Sequence, residues 1–124
     1  MVDFKKFNKT MQTTVREGID TKAISEKKGY NHLSEFDGKV VAVDGFFFTE
    51  GDYGKQVVVV GHDKDDASDI RLINMPKRAT EQFEEFAGDA DMLKAILAGH
   101  LALVNIQPKQ AKRGPTTVWE YDNI

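Results

Sequence analysis

Four consecutive valines, Val57-Val58-Val59-Val60, constrain this chain more than any other feature. β-Branched side chains crowd a helix and suit an extended strand, and a strand sends successive side chains to opposite faces. A strand made of valine is therefore apolar on both sides, and the fold needs cover above and below the sheet at that point. Leu101-Ala102-Leu103-Val104 repeats the demand. One face of each strand fills a core. The other has to be covered by an N-terminal arm or by another subunit, and the second option makes a homo-oligomer the expectation.

The rest of the chain arranges itself around these runs. Lys39 to Thr49 is β-branched and aromatic and reads as a long first strand, with Gly45 marking a bulge or bend. Glu50-Gly51-Asp52-Tyr53-Gly54 is a turn, and Lys55 to Val60 is the second strand. An acidic turn, His62 to Asp69, leads to a third strand over Ile70 to Met75. After Pro76 the period becomes helical through Phe83, Phe86, Met92, Leu93, Ile96 and Leu97, with Asp89 placed as an N-cap and Gly99 as a stop. Leu101 to Ile106 and Thr116 to Tyr121 are the fourth and fifth strands.

The order β-β-β-α-β-β predicts a mainly β chain: a five-stranded, OB-fold-like Greek-key barrel with one helical segment between strands three and four. An unrelated α+β sheet with one helical layer is the rival. Val41, Val43, Leu72, Val104 and Ile106 are expected inside one barrel. Residues 1–35 are polar and weakly periodic, and read as an arm that is partly helical around Phe7 to Arg16. Residues 36–124 form the OB-fold-like domain.

Composition removes several functions. With no cysteine among 124 residues, disulfides, thiol catalysis, zinc ribbons and iron–sulfur clusters are excluded. No run is apolar enough for a membrane helix, and MVDFKKFNKT lacks a signal-peptide core, so the expectation is a cytoplasmic chain with no membrane partner. Ser25-Glu26-Lys27-Lys28 lacks the companion motifs of a Ser-x-x-Lys enzyme, and His32, His62 and His100 have no metal spacing. Counted from Asp63, a calcium loop fails at Ala67, Ser68 and Asn74. Gly51-Asp52-Tyr53-Gly54-Lys55 runs into a strand, whereas a phosphate loop closes onto a helix. The reading is therefore non-enzymatic, with no cofactor and no metal.

Binding remains. The formal charge of -3 gives no general attraction to nucleic acid, but it is unevenly spread. Pro108 to Gly114 holds Lys109, Lys112 and Arg113 without an acid. Tyr53 and Lys55 lie in the turn between strands one and two, and Arg71 lies in strand three. One of Phe46, Phe47 and Phe48 must face away from the core, and Phe47 is the candidate. Aromatic rings that stack on bases and cations that follow phosphates make a sequence-tolerant single-strand site. On an OB fold, such a site lies on strands two and three, framed by the one–two and four–five loops.

Phe36 to Ile124, with Tyr53-Gly54-Lys55-Gln56-Val57-Val58, resembles the small OB-fold, single-stranded-DNA-binding-like proteins of bacteriophages and mobile elements. The resemblance implies binding of single-stranded DNA, with RNA as an alternative, in replication or recombination, often as an oligomer. It places Tyr53 and Lys55 at the groove rim, Arg71 on its floor, and Lys109, Lys112 and Arg113 on the opposite loop. The alternative is an OB-like protein–protein interaction module, docking through the acidic helix of Glu81, Glu84 and Glu85 or through an apolar strand face.

Overall fold

In a computed structural model of the chain, residues 14–51 and 54–124 are described. They run as α1 (Thr21–Lys28), β1 (Tyr30–His32), a 3-10 turn (Leu33–Phe36), β2 (Val41–Gly51), β3 (Gly54–Asp63), β4 (Arg71–Asn74), α2 (Ala79–Gly88), α3 (Ala90–Leu97), β5 (Leu101–Ala111) and β6 (Gly114–Asn123). The fold is mainly β. The six strands form one sheet, curled into a half-barrel, in the order β1-β4-β3-β2-β5-β6. All its pairs are antiparallel except β1 with β4. Among the described residues no helix is long and apolar enough to cross a membrane.

The four valines are fully buried in the middle of β3, and they serve two cores. Val57 and Val59 face one side, with Val41, Val43, Phe46, Ile73, Leu103 and Ile106. Val58 and Val60 face the other, with Leu72. Leu72 thus belongs to the opposite layer from the expected one, because it lies directly across from Val60 and shares its face. Val104 is only half-buried, beside a bulge in β5 where Asn105 takes a positive φ of 51°.

Helix α2 caps the first core. Phe83 is fully buried, edge-on to Phe46 at 5.0 Å and to Phe86 at 5.2 Å. The same helix joins the two flanks of the curl, which are not hydrogen-bonded to each other among the described residues. Glu84 meets Lys55 of β3, and Gln82 accepts from the Tyr121 hydroxyl of β6. Asp89 caps α3 as expected, accepting from the N–H groups of Asp91 and Met92, and Gly99 follows that helix with φ 87°.

The second core is covered by the chain's own N-terminal part. Val15, Ile19 and Ile24 lie against Val58, Val60 and Leu72, so residues 14–28 form a strap across the outer sheet face. The expected helix over Phe7 to Arg16 falls outside the described residues up to position 13. Thr14 to Arg16 are not helical, and Val15 instead bridges Gly45. Gly45 follows the bulge after Val43, and the strap rests directly on it. An added Cβ at Gly45 would lie 2.5 Å from the Val15 Cα.

Beside it, the Asp44 carboxylate is buried and takes Arg16 Nη2 at 3.1 Å and His62 Nδ1 at 2.7 Å. The other end of the strap is tied by Lys28 to Asp69 at 2.6 Å. The part read as a polar arm therefore contributes a helix, a sixth strand and half of a core.

Candidate nucleic-acid interface

Beyond its bulge, β5 leaves the sheet. It pairs with β2 only at Leu103 and Ala102, and from Gln107 to Ala111 its one described strand neighbour is β6. The two strands form a free hairpin arm in which Gln107 to Arg113 are all exposed, with Lys112 and Arg113 at its turn. Exposed strand edges invite pairing with other chains. Here Pro108 lies opposite Thr117 and Pro115 lies opposite Gln110, so each strand of the arm carries a proline. Proline offers no N–H to an incoming strand, which blunts both edges. The arm is built to stand in solvent.

Lys109, Lys112 and Arg113 have no carboxylate partner among the described residues. Arg78, in the turn before α2, joins them at the base of the arm. Its guanidinium donates to the Thr116 hydroxyl at 3.2 Å and to the Thr117 carbonyl, and lies 4.8 Å over the Trp119 ring. Neutral oxygens hold this side chain, and among the described residues no carboxylate pairs with it. Sequence reasoning passed over Arg78. The available signal was Lys77-Arg78 just ahead of a helix N-terminus, where the helix dipole favours acids and two cations need another reason to be there.

The other anticipated residues are placed differently. Arg71 is clamped by Asp69, Nε to Oδ1 at 2.9 Å and Nη2 to Oδ2 at 3.1 Å. That pair, with help from Lys28, holds the Asp69 carboxyl at about 2. Lys55 is bound to Glu84 at 3.3 Å and lies over the Phe48 ring at 4.8 Å. Phe47 packs beside the strap against Val58, Val60 and Leu72, is half-buried there, and lines a crevice with Arg16 and Glu17 on the face away from the arm. Tyr53 lies outside the described residues. β2 and β5 run antiparallel, so the Gly51 end of β2 and the arm tip lie at opposite ends of the sheet. The structure thus gathers Lys109, Lys112 and Arg113 and separates them from Lys55 and Arg71.

Next to the base of the arm, a crevice of about 370 Å³ opens between the 3-10 turn, the end of β4 and β6. Leu33 and Met75 are its buried apolar residues, and His32, Ser34, Asn74 and Thr117 bring polar groups to its walls. Comparisons with protein-family models, with curated proteins and with solved structures return no match to this chain.

Proposed function

We propose that this chain is a non-enzymatic protein that binds single-stranded DNA, with RNA as the alternative strand, and that it meets the phosphates through the β5–β6 arm. The observation that carries the reading is the arm itself: three cations without carboxylate partners among the described residues, held clear of an acidic body on a proline-blunted hairpin. Cations placed this way displace condensed counterions from a polyanion, while paired ones such as Arg71 have already met their charge.

The OB-fold reading supports the same function. Strands β2 to β6, with α2 and α3 between the third and fourth of them, follow the order of a five-stranded Greek-key barrel, and the arm occupies the place of its four–five loop. In this chain β1 takes the outer edge of β4, and α2 spans the gap that strand pairing would close. The setting implied by the resemblance is replication or recombination of phage or mobile-element DNA in the cytoplasm.

Titration with unlabelled oligonucleotides, followed by the fluorescence of Trp119, tests the reading, because this single tryptophan lies beneath Arg78 beside the arm. Single strands should bind more tightly than duplex, and binding should weaken as salt rises. Replacing Lys112 and Arg113 together by Ala should lower the salt slope by ~1.4, at ~0.7 per phosphate contact on single strands. No binding at low salt would leave the protein-interaction reading. In its favour stands an apolar groove beside α3, formed by Phe86, Met92, Ile96, Leu101 and Tyr121, with Met92 itself exposed.

A further inference from the structure

We infer that the crevice at the base of the arm receives one base of the bound strand, so that bases and phosphates are read at adjoining places. The inference rests on the single-strand reading above and deepens it. Size is the first argument. At about 370 Å³ the crevice falls within the ~300–1,000 Å³ common to small-molecule sites, and it is open enough for a base to enter from a chain.

Its lining is the second argument. No carboxylate and no lysine or arginine lines it. A neutral pocket suits a nucleobase and repels neither form of the backbone. The amide of Asn74 is half-buried at the crevice wall and makes no hydrogen bond to a described residue, and neither do the hydroxyls of Ser34 and Thr117. Amide and hydroxyl groups supply both donors and acceptors, which is what the edge of an unpaired base requires. Register puts His32 directly beside Asn74 on one face of the sheet, where an imidazole offers a ring for stacking. Tyr30, two residues earlier on the same face of β1, is half exposed and extends the aromatic surface.

Position is the third. Thr117 lies on the crevice wall, and its own carbonyl accepts from Arg78, while its neighbour Thr116 pairs with Lys109. The crevice therefore ends one strand position from the first cations of the arm. A strand with a base in the crevice has its next phosphates led to Arg78 and Lys109, then toward Lys112 and Arg113. On the outer face Val58, Val60 and Leu72 are sealed under the strap. The crevice of about 410 Å³ beside Phe47 has Glu17 in its lining, a carboxylate that disfavours the phosphates on either side of a base.

Two oligomers of equal length and charge test this, a thymidine oligomer and its abasic counterpart, titrated against the full chain. The wild type should bind the thymidine oligomer about ten-fold more tightly, a size in keeping with one stacked base. Ser34→Trp, at an exposed rim position, should fill the crevice and bring the two affinities within about two-fold without changing the salt slope. Replacing Lys112 and Arg113 by Ala should weaken both oligomers alike and keep their ratio. Wild-type protein that binds both oligomers equally overturns the crevice and leaves the arm in place. Failure to bind either one overturns the single-strand reading and the crevice with it. Should Ser34→Trp not fold, photo-crosslinking of a 5-iodouracil oligomer to the wild type decides: an adduct on His32, Met75 or Tyr30 supports the site, and adducts confined to other segments sink it.

Discussion

Two ion pairs fasten the strap, and their surroundings make them unequal. The Asp44 side chain is 1% exposed, so removing Arg16 leaves a buried carboxylate with His62 alone, and an unmatched buried charge is costly. Asp69 is 36% exposed, and Lys28 shares it with Arg71. Arg16→Met should therefore cost about 2 kcal/mol, as for a lost hydrogen bond to a charged group, while Lys28→Met should cost less than ~1 kcal/mol. Urea midpoints of the two variants check the order. Acid acts on the second pair in a defined direction. Arg71 first, and Lys28 second, lower the Asp69 carboxyl from its ordinary 3.8 to about 2. A carboxyl lowered by folding stabilises the fold fully above its unfolded pKa, and that contribution disappears as the pH falls through the folded one. The Lys28 end of the strap should thus hold at about pH 5 and release between about pH 4 and 2. Hydrogen exchange in α1 should show it, and Asp69→Asn should remove that acid step.

At the scale of elements, the strap depends on one contact that only glycine permits. A methyl at position 45 would lie 2.5 Å from the Val15 Cα and 2.6 Å from the Thr14 carbonyl oxygen, so strand or strap must move. Gly45→Ala should destabilise by roughly 2 kcal/mol or more, the range of overpacked sites, and should raise dye binding as Val58, Val60 and Leu72 are uncovered. The bulge was legible in the sequence because glycine inside a β-branched run has few other uses. The long strands and the capped α3 were legible for like reasons: valine and phenylalanine declare a strand, and Asp89 and Gly99 bracket a helix. Tyr30-Asn31-His32 declares nothing, since a three-residue parallel edge strand needs no apolar alternation when β4 supplies its neighbour. Helix α1 has no fully buried residue, so its pattern is faint, although Asp20 and Gly29 at its two ends were signals in plain view. Of the candidate site, the acid-free run Pro108 to Gly114 was legible as charge. The capture of Lys55 by Glu84 was not, because it depends on how α2 crosses the sheet. Asp69 beside Arg71 stood two residues away and was a readable warning.

The whole molecule combines these features into one consequence for binding. On the OB-fold reading proposed above, the ligand face would be the outer face of β3 and β4. In this chain that face is occupied by residues 14–28, and the side chains beneath are Val58, Val60 and Leu72 with a single ring, Phe47, packed against them. The strap also answers the demand made by the valine run, so the second apolar face gives no further reason for a partner subunit. A chain beginning at Gly29, which loses the strap and keeps β1 and the crevice wall, separates the two roles that a covered face could have. Losing the strap uncovers Val58, Val60 and Leu72 and strips Asp44 of Arg16, so this shortened chain should self-associate in sedimentation where the full chain does not. It should gain little affinity for single strands through the uncovered face, because among the side chains uncovered only Phe47 can stack on a base and none attracts phosphate. Binding that strengthens on removal of the strap, while resisting replacement of Lys112 and Arg113, would move the site from the arm to the outer face. Binding that keeps its dependence on Lys112 and Arg113 places it on the arm, with the strap as the cover that lets an acidic, two-cored sheet stay apart from its own copies.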